Sequence, residues 1–572
     1  SLEVGVTSAT RGATQARQLD SPAAASSMRS AARAFDRANA QVRSPLGRAG
    51  LLVPLLGQQV RAIDVASASG AGLGRAAAGL AEAVDRDALQ VTAGRIPLER
   101  LQEAQPKAAQ AAAAIARARR GLGSQRSPWL LPQLTSRLGR VEAQLVTAGD
   151  QADRAAALLE EIPPLLGSKG PRRYFVAVQT PSELRGAGGF MGSFVEIAVD
   201  DGRLSLARTG RTGELNADRS TRVRTLDAPP DFLRLYEQFA VATTWQSVTI
   251  SPHFPSDAQV IRGLYPQSGG RPVDAVFAID PFAIQALLQV VGPIRVPGSP
   301  EPLTGENAAK VLLFDQYRTF GDNEQDDRKD FLAAAIQTLT ERLLSGPVPV
   351  GPLAKALQPM VDQKHLMASA GAAAEEPVFA RLGMTGAMAP LRGDSLAVVV
   401  QNASPSKIDW FLRRTIDYSA TVDPSSGATT AKATVRLTNE APASGLPRYL
   451  IGNEVGLPLG TSRLYVSVYS PLALQGATLD GRPLRLDPGI EQGRGVLSAF
   501  VDVPAGATVT LALDLAGAVQ IDGSYRLDLH RQPSAAPDQV TVSLARSGAT
   551  GDPTRRDIRL AADTLFEAPL RG

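Results

Sequence analysis

A glycine-rich segment in the middle of the chain has the residue types of an anion-binding loop. It reads SELRGAGGFMGS, spans residues 182–193 and places Glu183 and Arg185 beside four glycines. Glycine lets backbone amides approach a ligand closely or lets the chain turn sharply. Arg185 in such a loop is placed to meet an anion.

Two further segments carry arginine at the ends of predicted elements. Arg211 and Glu214 follow a predicted strand, and Arg318 and Arg328 lie near the end of one predicted helix and the start of the next. The N-terminus of a helix carries a partial positive charge, which Arg328 would reinforce. Four arginines from three segments could therefore converge on a polyanion such as pyrophosphate.

Carboxylates in the last of these segments suit a divalent cation. Asp315, Asp326 and Asp327 offer the oxygen ligands that Mg²⁺ prefers. The alternative is structural, because charged residues at helix starts are usually caps and solvated ion pairs, and glycine-rich hairpins are usually turns.

The composition excludes several other chemistries. The chain has no cysteine, which rules out disulfides, CxxC zinc sites, iron–sulfur ligation and a thiol nucleophile. Its histidines, His253, His365 and His530, stand in different regions, which argues against a catalytic triad. The net charge is only +4, although 52 of the 60 cationic residues are arginine. Arginine is not interleaved with aromatic residues, so we expect no nucleic-acid partner.

The order of elements predicts a multidomain α+β protein. Residues 1–165 are rich in alanine and predict a helical bundle or coiled coil, because apolar residues recur at alternating spacings of three and four from Leu134 to Ile162. A GxGxG at residues 70–74 follows no strand pattern and predicts no phosphate loop.

The other two regions are predicted to contain sheets. Residues 166–395 alternate strand and helix patterns, which predicts an αβα domain with a mostly parallel or mixed sheet. Residues 396–572 have a period of two between turn signals, which predicts one large β-sandwich or two small ones.

Several of these segments resemble a known family. RRYFVAVQTPSELRGAGGFMGSF, VDAVFAIDPFAIQALLQVVGPIRVPG and DQYRTFGD resemble the bacterial domain-of-unknown-function family 4012 (DUF4012). The likeness continues into VVVQNASPSKIDWFLRR and YRLDLHRQPSAAPDQV, so that it covers nearly the whole chain. More distantly, the middle region is similar to the LytR-CpsA-Psr (LCP) transferases.

The LCP resemblance implies a reaction and a set of site residues. Members of that family move a glycopolymer phosphate from a polyprenyl-pyrophosphate carrier onto peptidoglycan, with arginines on the pyrophosphate and Asp with Mg²⁺. By position, the arginines would be Arg185, Arg211, Arg318 and Arg328. The family's acids have no counterparts, since Thr212 stands where Asp would follow the second arginine. The resemblance therefore implies that Glu183, Glu214 or Asp315 substitutes as the catalytic acid, or that the site binds without turnover.

Two functional hypotheses follow from the resemblance. In the first, an extracytoplasmic, membrane-anchored envelope protein binds a lipid-linked pyrophosphate glycopolymer, or a cell-wall glycan, and transfers it with Mg²⁺. In the second, the same protein is a non-catalytic scaffold with a degenerate LCP-like site. The chain has no long apolar stretch and no signal peptide, so we expect the anchor to lie outside it. The sequence leaves the glycan and the oligomeric state open.

Overall fold

The computed structural model describes most of the chain. It covers residues 2–17, 20–45, 49, 54–83, 90–127, 129–217, 224–297, 299, 301–320, 325–549 and 551–570, without the side chains of residues 17, 54, 55, 217 and 325–330. Internal contacts divide the chain into two units. The first comprises Ser1–Arg172, Val199–Leu204 and Leu344–Leu353, and the second comprises the remaining residues to Gly572.

Long helices build the first unit. Consecutive helices pack on one another, from the first pair to the last. The helices are α1 (Leu2–Arg17), α2 (Ser21–Val42), α3 (Pro54–Ala83), α4 (Leu98–Gly123) and α5 (Pro132–Leu165), and a short pairing joins β1 (Gln90–Val91) to β6 (Val348–Pro349). No helix that the structure describes is long and apolar enough to cross a lipid bilayer.

Glycine and alanine allow these helices to approach closely. A Cβ built on Gly70 would lie 2.8 Å from the ring of Phe35, and one on Gly74 would lie 2.9 Å from the backbone of Ala32. Gly70 and Gly74 of the GxGxG pattern therefore allow α3 to pack closely against α2. On α5, Leu138 and Leu145 are buried but Val141 between them is 40% exposed, so the apolar seam is narrower than the sequence pattern predicts.

A five-stranded sheet of order β4-β3-β2-β5-β7 occupies the middle of the chain. It is mixed, because β5 pairs parallel with β2 and antiparallel with β7. The strands are β2 (Arg172–Thr180), β3 (Phe190–Asp200), β4 (Arg203–Arg211), β5 (Ala275–Ile279) and β7 (Leu366–Ala370).

Helices and apolar clusters cover both faces of this sheet. Side chains alternate along β2, so Phe175 packs with Trp245 and Tyr265 on one face, while Val176 and Val178 join the cluster on the other. The helical segments are α6 (Thr212–Ala217), α7 (Pro230–Tyr236), α8 (Phe254–Gln267), α9 (Pro281–Val291), α10 (Ala308–Lys310), a π-helical turn (Val311–Asp315), α11 (Gln316–Thr319), α12 (Gln325–Ser345), α13 (Val350–Asp362) and α14 (Glu376–Arg381).

The C-terminal part is a β-sandwich with one core. A seven-stranded sheet of order β13-β12-β16-β10-β9-β18-β19 and a six-stranded sheet of order β14-β15-β11-β8-β17-β20 contribute to a single cluster of buried residues. The strands are β8 (Asp394–Asn402), β9 (Leu412–Val422), β10 (Ala428–Asn439), β11 (Ser462–Ser470), β12 (Ala473–Leu479), β13 (Arg482–Pro483), β14 (Asp487–Glu491), β15 (Arg494–Val503), β16 (Thr508–Ala518), β17 (Ser524–His530), β18 (Asp538–Arg546), β19 (Thr554–Leu560) and β20 (Thr564–Pro569), with α15 (Arg448–Ile451) between β10 and β11. The predicted fold class, α+β with helices first and an all-β region last, is confirmed.

Candidate functional site

The glycine-rich loop between β2 and β3 lies against backbone rather than open space. A Cβ on Gly186 would fall 2.1 Å from the carbonyl oxygen of Ile250, and one on Gly189 would fall 2.4 Å from the carbonyl carbon of Thr180. Real Cβ atoms do not approach other atoms so closely, so glycine is required at both positions by packing. Leu184 of the same loop is buried in the core of the β-sandwich. The loop therefore connects the central sheet to the sandwich.

The two charged side chains of this loop bond to each other and to the sandwich. The Arg185 guanidinium donates to the Glu183 carboxylate (3.3 Å) and to the carbonyl oxygens of Leu184 (2.8 Å) and Asn402 (3.2 Å). The other carboxylate oxygen of Glu183 accepts from the Lys407 ammonium, whose side chain is only 2% exposed. Arg185, proposed from the sequence to meet an external anion, already has an internal carboxylate.

Lys407 is held in place by its surroundings. Its Nζ lies 4.3 Å from the centroid of the Phe190 ring, which adds a cation–π contact to the ion pair. Burial lowers the pKa of Lys407, but the Glu183 carboxylate outweighs burial and the pKa is raised overall. Lys407 is therefore charged at neutral pH.

Neutral and acidic side chains of the sandwich bond the backbone of the loop. The Leu184 N–H donates to the Asp409 carboxylate (2.8 Å), which also accepts from Asn402 (2.9 Å). Burial raises the pKa of Asp409 to about 6, although these two donors lower it. The Gln532 side-chain amide donates to the carbonyl oxygens of Arg185 (2.8 Å) and Val400 (2.7 Å).

The other predicted site residues lie in separate surroundings. The Arg211 N–H donates to the Glu214 carboxylate (2.8 Å) at the start of α6. Arg318 is exposed, and its guanidinium lies 5.9 Å from the centroid of the Phe314 ring. The side chains of Asp326, Asp327 and Arg328 lie outside the described residues. The convergence of the four arginines remains a prediction.

The carboxylate proposed for Mg²⁺ has another partner. Both oxygens of Asp315 accept from the Lys310 ammonium at 2.6 Å, and the predicted Mg²⁺ site, which also needs the side chains of Asp326 and Asp327, stays a prediction. Among the residues that the structure describes, no three Asp, Glu or His side chains group in the way a metal ion requires.

Sequence reasoning missed a buried cluster that includes two of the three histidines. His365 Nδ1 lies 2.5 Å from the Asp280 carboxylate at the start of α9, and Lys364 Nζ lies 3.0 Å from Nδ1 of His530 and 2.7 Å from Asp563. Burial lowers the pKa of both Lys364 and His530. The only sequence signal was two basic pairs, Lys364-His365 and His530-Arg531, that are far apart in the chain.

A second buried cluster surrounds Glu491, which is fully buried on β14. Its carboxylate accepts from the hydroxyls of Tyr236 (2.7 Å), Tyr469 (2.8 Å) and Ser251 (2.6 Å). The Ser251 N–H donates in turn to Asp257 (3.0 Å). Ser251 is itself fully buried, so its hydroxyl is not accessible to a substrate.

A matched pair of glycine variants tests whether the loop is shaped by packing. We expect Gly186→Ala to lower the free energy of unfolding by about 1–3 kcal/mol, because its Cβ overlaps the backbone of Ile250. Gly192→Ala should have little effect, since its Cβ would lie 3.5 Å from its nearest neighbour, the Phe190 ring. Urea denaturation of both variants measures the difference. Equal stability of the two would show that the loop has room for ligands.

Comparison with known proteins gives a family match and distant structural likenesses, of which two are described here. Residues 169–317 match the family described as "Protein of unknown function (DUF4012)". A protein from Legionella pneumophila described as nutrient binding is 10% identical over 31% of this chain and 71% of that chain, with a TM-score of 0.22. An M1 zinc metallopeptidase from Deinococcus radiodurans is 15% identical over 28% of this chain and 38% of that chain, with a TM-score of 0.17. No curated protein matches significantly. The family match covers residues 169–317 and supports, over those residues, the DUF4012 resemblance of the sequence.

Proposed function

We propose that this protein is a non-catalytic scaffold of the cell envelope, in which an LCP-like central domain has lost transferase chemistry and carries a β-sandwich. The observation that carries the proposal is the ion-pair network of the loop. Glu183, Arg185 and Lys407 neutralise one another in a buried setting, with side-chain exposures of 7%, 12% and 2%. A transferase needs the equivalent groups to face its substrate.

The packing of the loop supports the same conclusion. A catalytic anion site needs backbone N–H groups aimed at an empty position. Here the Leu184 N–H donates to Asp409, the Ala187 N–H to the Thr249 carbonyl and the Gly188 N–H to the Arg185 carbonyl. These donors are already used inside the protein. The extracytoplasmic location and the membrane anchor are part of the proposal and rest on the family resemblance.

The test uses the full chain with geranyl pyrophosphate as the donor analogue. We expect neither Mg²⁺-dependent phosphate transfer nor a shift of the melting temperature at saturating ligand. Arg185→Ala should lower the melting temperature by the same amount with and without geranyl pyrophosphate, because the arginine acts in folding. Arg318→Ala, at an exposed position, should leave it unchanged.

The opposite results would support an enzyme. Metal-dependent transfer from the donor, or stabilisation by geranyl pyrophosphate that Arg211→Ala or Arg318→Ala abolishes, would overturn the scaffold. Either result would indicate that the arginines outside the loop form the polyanion site that the sequence predicts.

A further inference from the structure

One end of the helical unit displays apolar side chains that its packing does not use. Trp129 is 64% exposed, Leu131 is 61% exposed and Leu56 is 55% exposed. Soluble surfaces rarely group such residues without a partner. We call this group the apolar tip.

Hydrogen bonds hold the tip in shape. The side-chain amide of Gln59 on α3 donates to the carbonyl oxygen of Trp129 (2.8 Å), and the Ser127 hydroxyl donates to Gln58 (2.6 Å). Leu130, between the two exposed residues, is buried in the helical core. The α4–α5 connection is therefore tied to the first turns of α3, with Trp129 and Leu131 directed outward.

The sequence around the tip is strongly basic. Residues 43–61 and 119–140 together contain eight arginines and no acidic residue. The nearest acids, Asp64 and Glu142, pair with Arg43 and Arg126. An exposed Trp and two exposed Leu flanked by arginines are typical of a segment that inserts into the interface of an anionic bilayer.

The direction of the first helix agrees with this reading. Gly5 of α1 faces Phe35 of α2, and Gly12 faces Met28, so the two helices are antiparallel. The end of α2 lies near the first turns of α3, where Arg43 pairs with Asp64. The chain of α1 therefore runs away from the tip. An anchor that precedes α1 would therefore leave the unit toward the tip. The direction of such an anchor rests on the proposed envelope location.

We propose that the apolar tip, formed by Leu56, Trp129 and Leu131, inserts peripherally into an anionic lipid bilayer. Trp129 and the two leucines would occupy the headgroup–acyl boundary, where Trp is favoured. The surrounding arginines would face the anionic headgroups and strengthen binding at low salt.

Vesicles test the proposal with the chain as it is. We expect co-sedimentation with vesicles of 30% phosphatidylglycerol in phosphatidylcholine, and weaker binding to pure phosphatidylcholine or at high salt. Trp129→Ala with Leu131→Ala should reduce the partition coefficient at least tenfold. Ile490→Ala with Phe500→Ala, at sandwich positions that are 61% and 48% exposed, is the matched control and should bind like the parent protein.

Fluorescence adds a readout that is specific to the tip. Trp245 is fully buried and Trp410 is half-buried, so quenching by brominated lipid should come from Trp129 and should vanish in Trp129→Phe. Unchanged binding of the double variant, or no binding to the anionic vesicles, would overturn the proposal. A concentration-dependent dimer in light scattering that the double variant abolishes would overturn it in favour of a second copy. The transfer assay of the proposed function is independent of all these results.

Discussion

Replacing Lys407 with methionine is expected to lower the free energy of unfolding by about 3–5 kcal/mol, because it leaves the buried Glu183 carboxylate without its closest partner. Arg185 remains at 3.3 Å from the other carboxylate oxygen and limits the loss. Methionine keeps an unbranched side chain and removes only the ammonium group, so the change reports on charge. Chemical denaturation at pH 7 provides the measurement.

The control for this variant is an exposed ion pair. Lys432 lies 3.2 Å from Asp514, and their side chains are 57% and 62% exposed. Lys432→Met should cost less than about 1 kcal/mol, because water solvates the remaining carboxylate. The double variant Glu183→Gln, Lys407→Met should cost less than the sum of its single variants, since it removes both buried charges. An equal loss of unfolding free energy in Lys407→Met and Lys432→Met would contradict a stabilising role for the buried ion-pair network.

Replacing Glu491 with alanine is expected to lower the free energy of unfolding by a similar amount. The change removes the acceptor of three buried hydroxyl groups, and each unsatisfied group costs about 1–3 kcal/mol. The Tyr236 and Tyr469 hydroxyls, 2.8 Å apart, can still bond each other, so the total should be about 3–5 kcal/mol. Glu567→Ala is the matched control, because Glu567 also accepts from a serine hydroxyl on a neighbouring strand but is 46% exposed.

The same cluster sets a pH dependence with a definite sign. Burial raises the pKa of Glu491 and raises that of Asp257 well above its ordinary value. The folded state therefore holds protons that the unfolded state has released, and stability falls as the pH rises from about 4 through the raised pKa values. Glu491→Gln should reduce this loss. If stability falls with pH by the same amount in the variant and in the parent protein, other groups than Glu491 cause the pH dependence.

The sequence predicted the elements well and their charged contacts poorly. The strand over residues 194–199 and the helix from Pro281 to Val291 follow from local periodicity, turn residues and proline. The role of Gly186 could not be predicted from the sequence, because a glycine can make room for a ligand or for a neighbouring backbone equally well. Only the structure, in which Gly186 lies against the Ile250 backbone, distinguishes these two roles.

Contacts between residues far apart in the chain could not be predicted from the sequence either, because no local pattern identifies the partner. Lys407 is more than 200 residues from Glu183, and no local pattern indicates that a lysine in a Ser-Pro-rich turn is buried. The pairing of Lys364 with His530 likewise depends on how β7 and β17 are arranged. The type of a single residue does not indicate which distant residue the fold will place beside it.

The burial of Leu184 has a consequence for cooperativity. This residue belongs to the loop that follows β2, yet its side chain completes the core of the sandwich, and its N–H and C=O bond Asp409 and Asn402. Pulling the loop out would open a cavity in the sandwich and leave buried polar groups unpaired. The central sheet and the sandwich should therefore melt in a single transition, as one foldon, despite their different architectures.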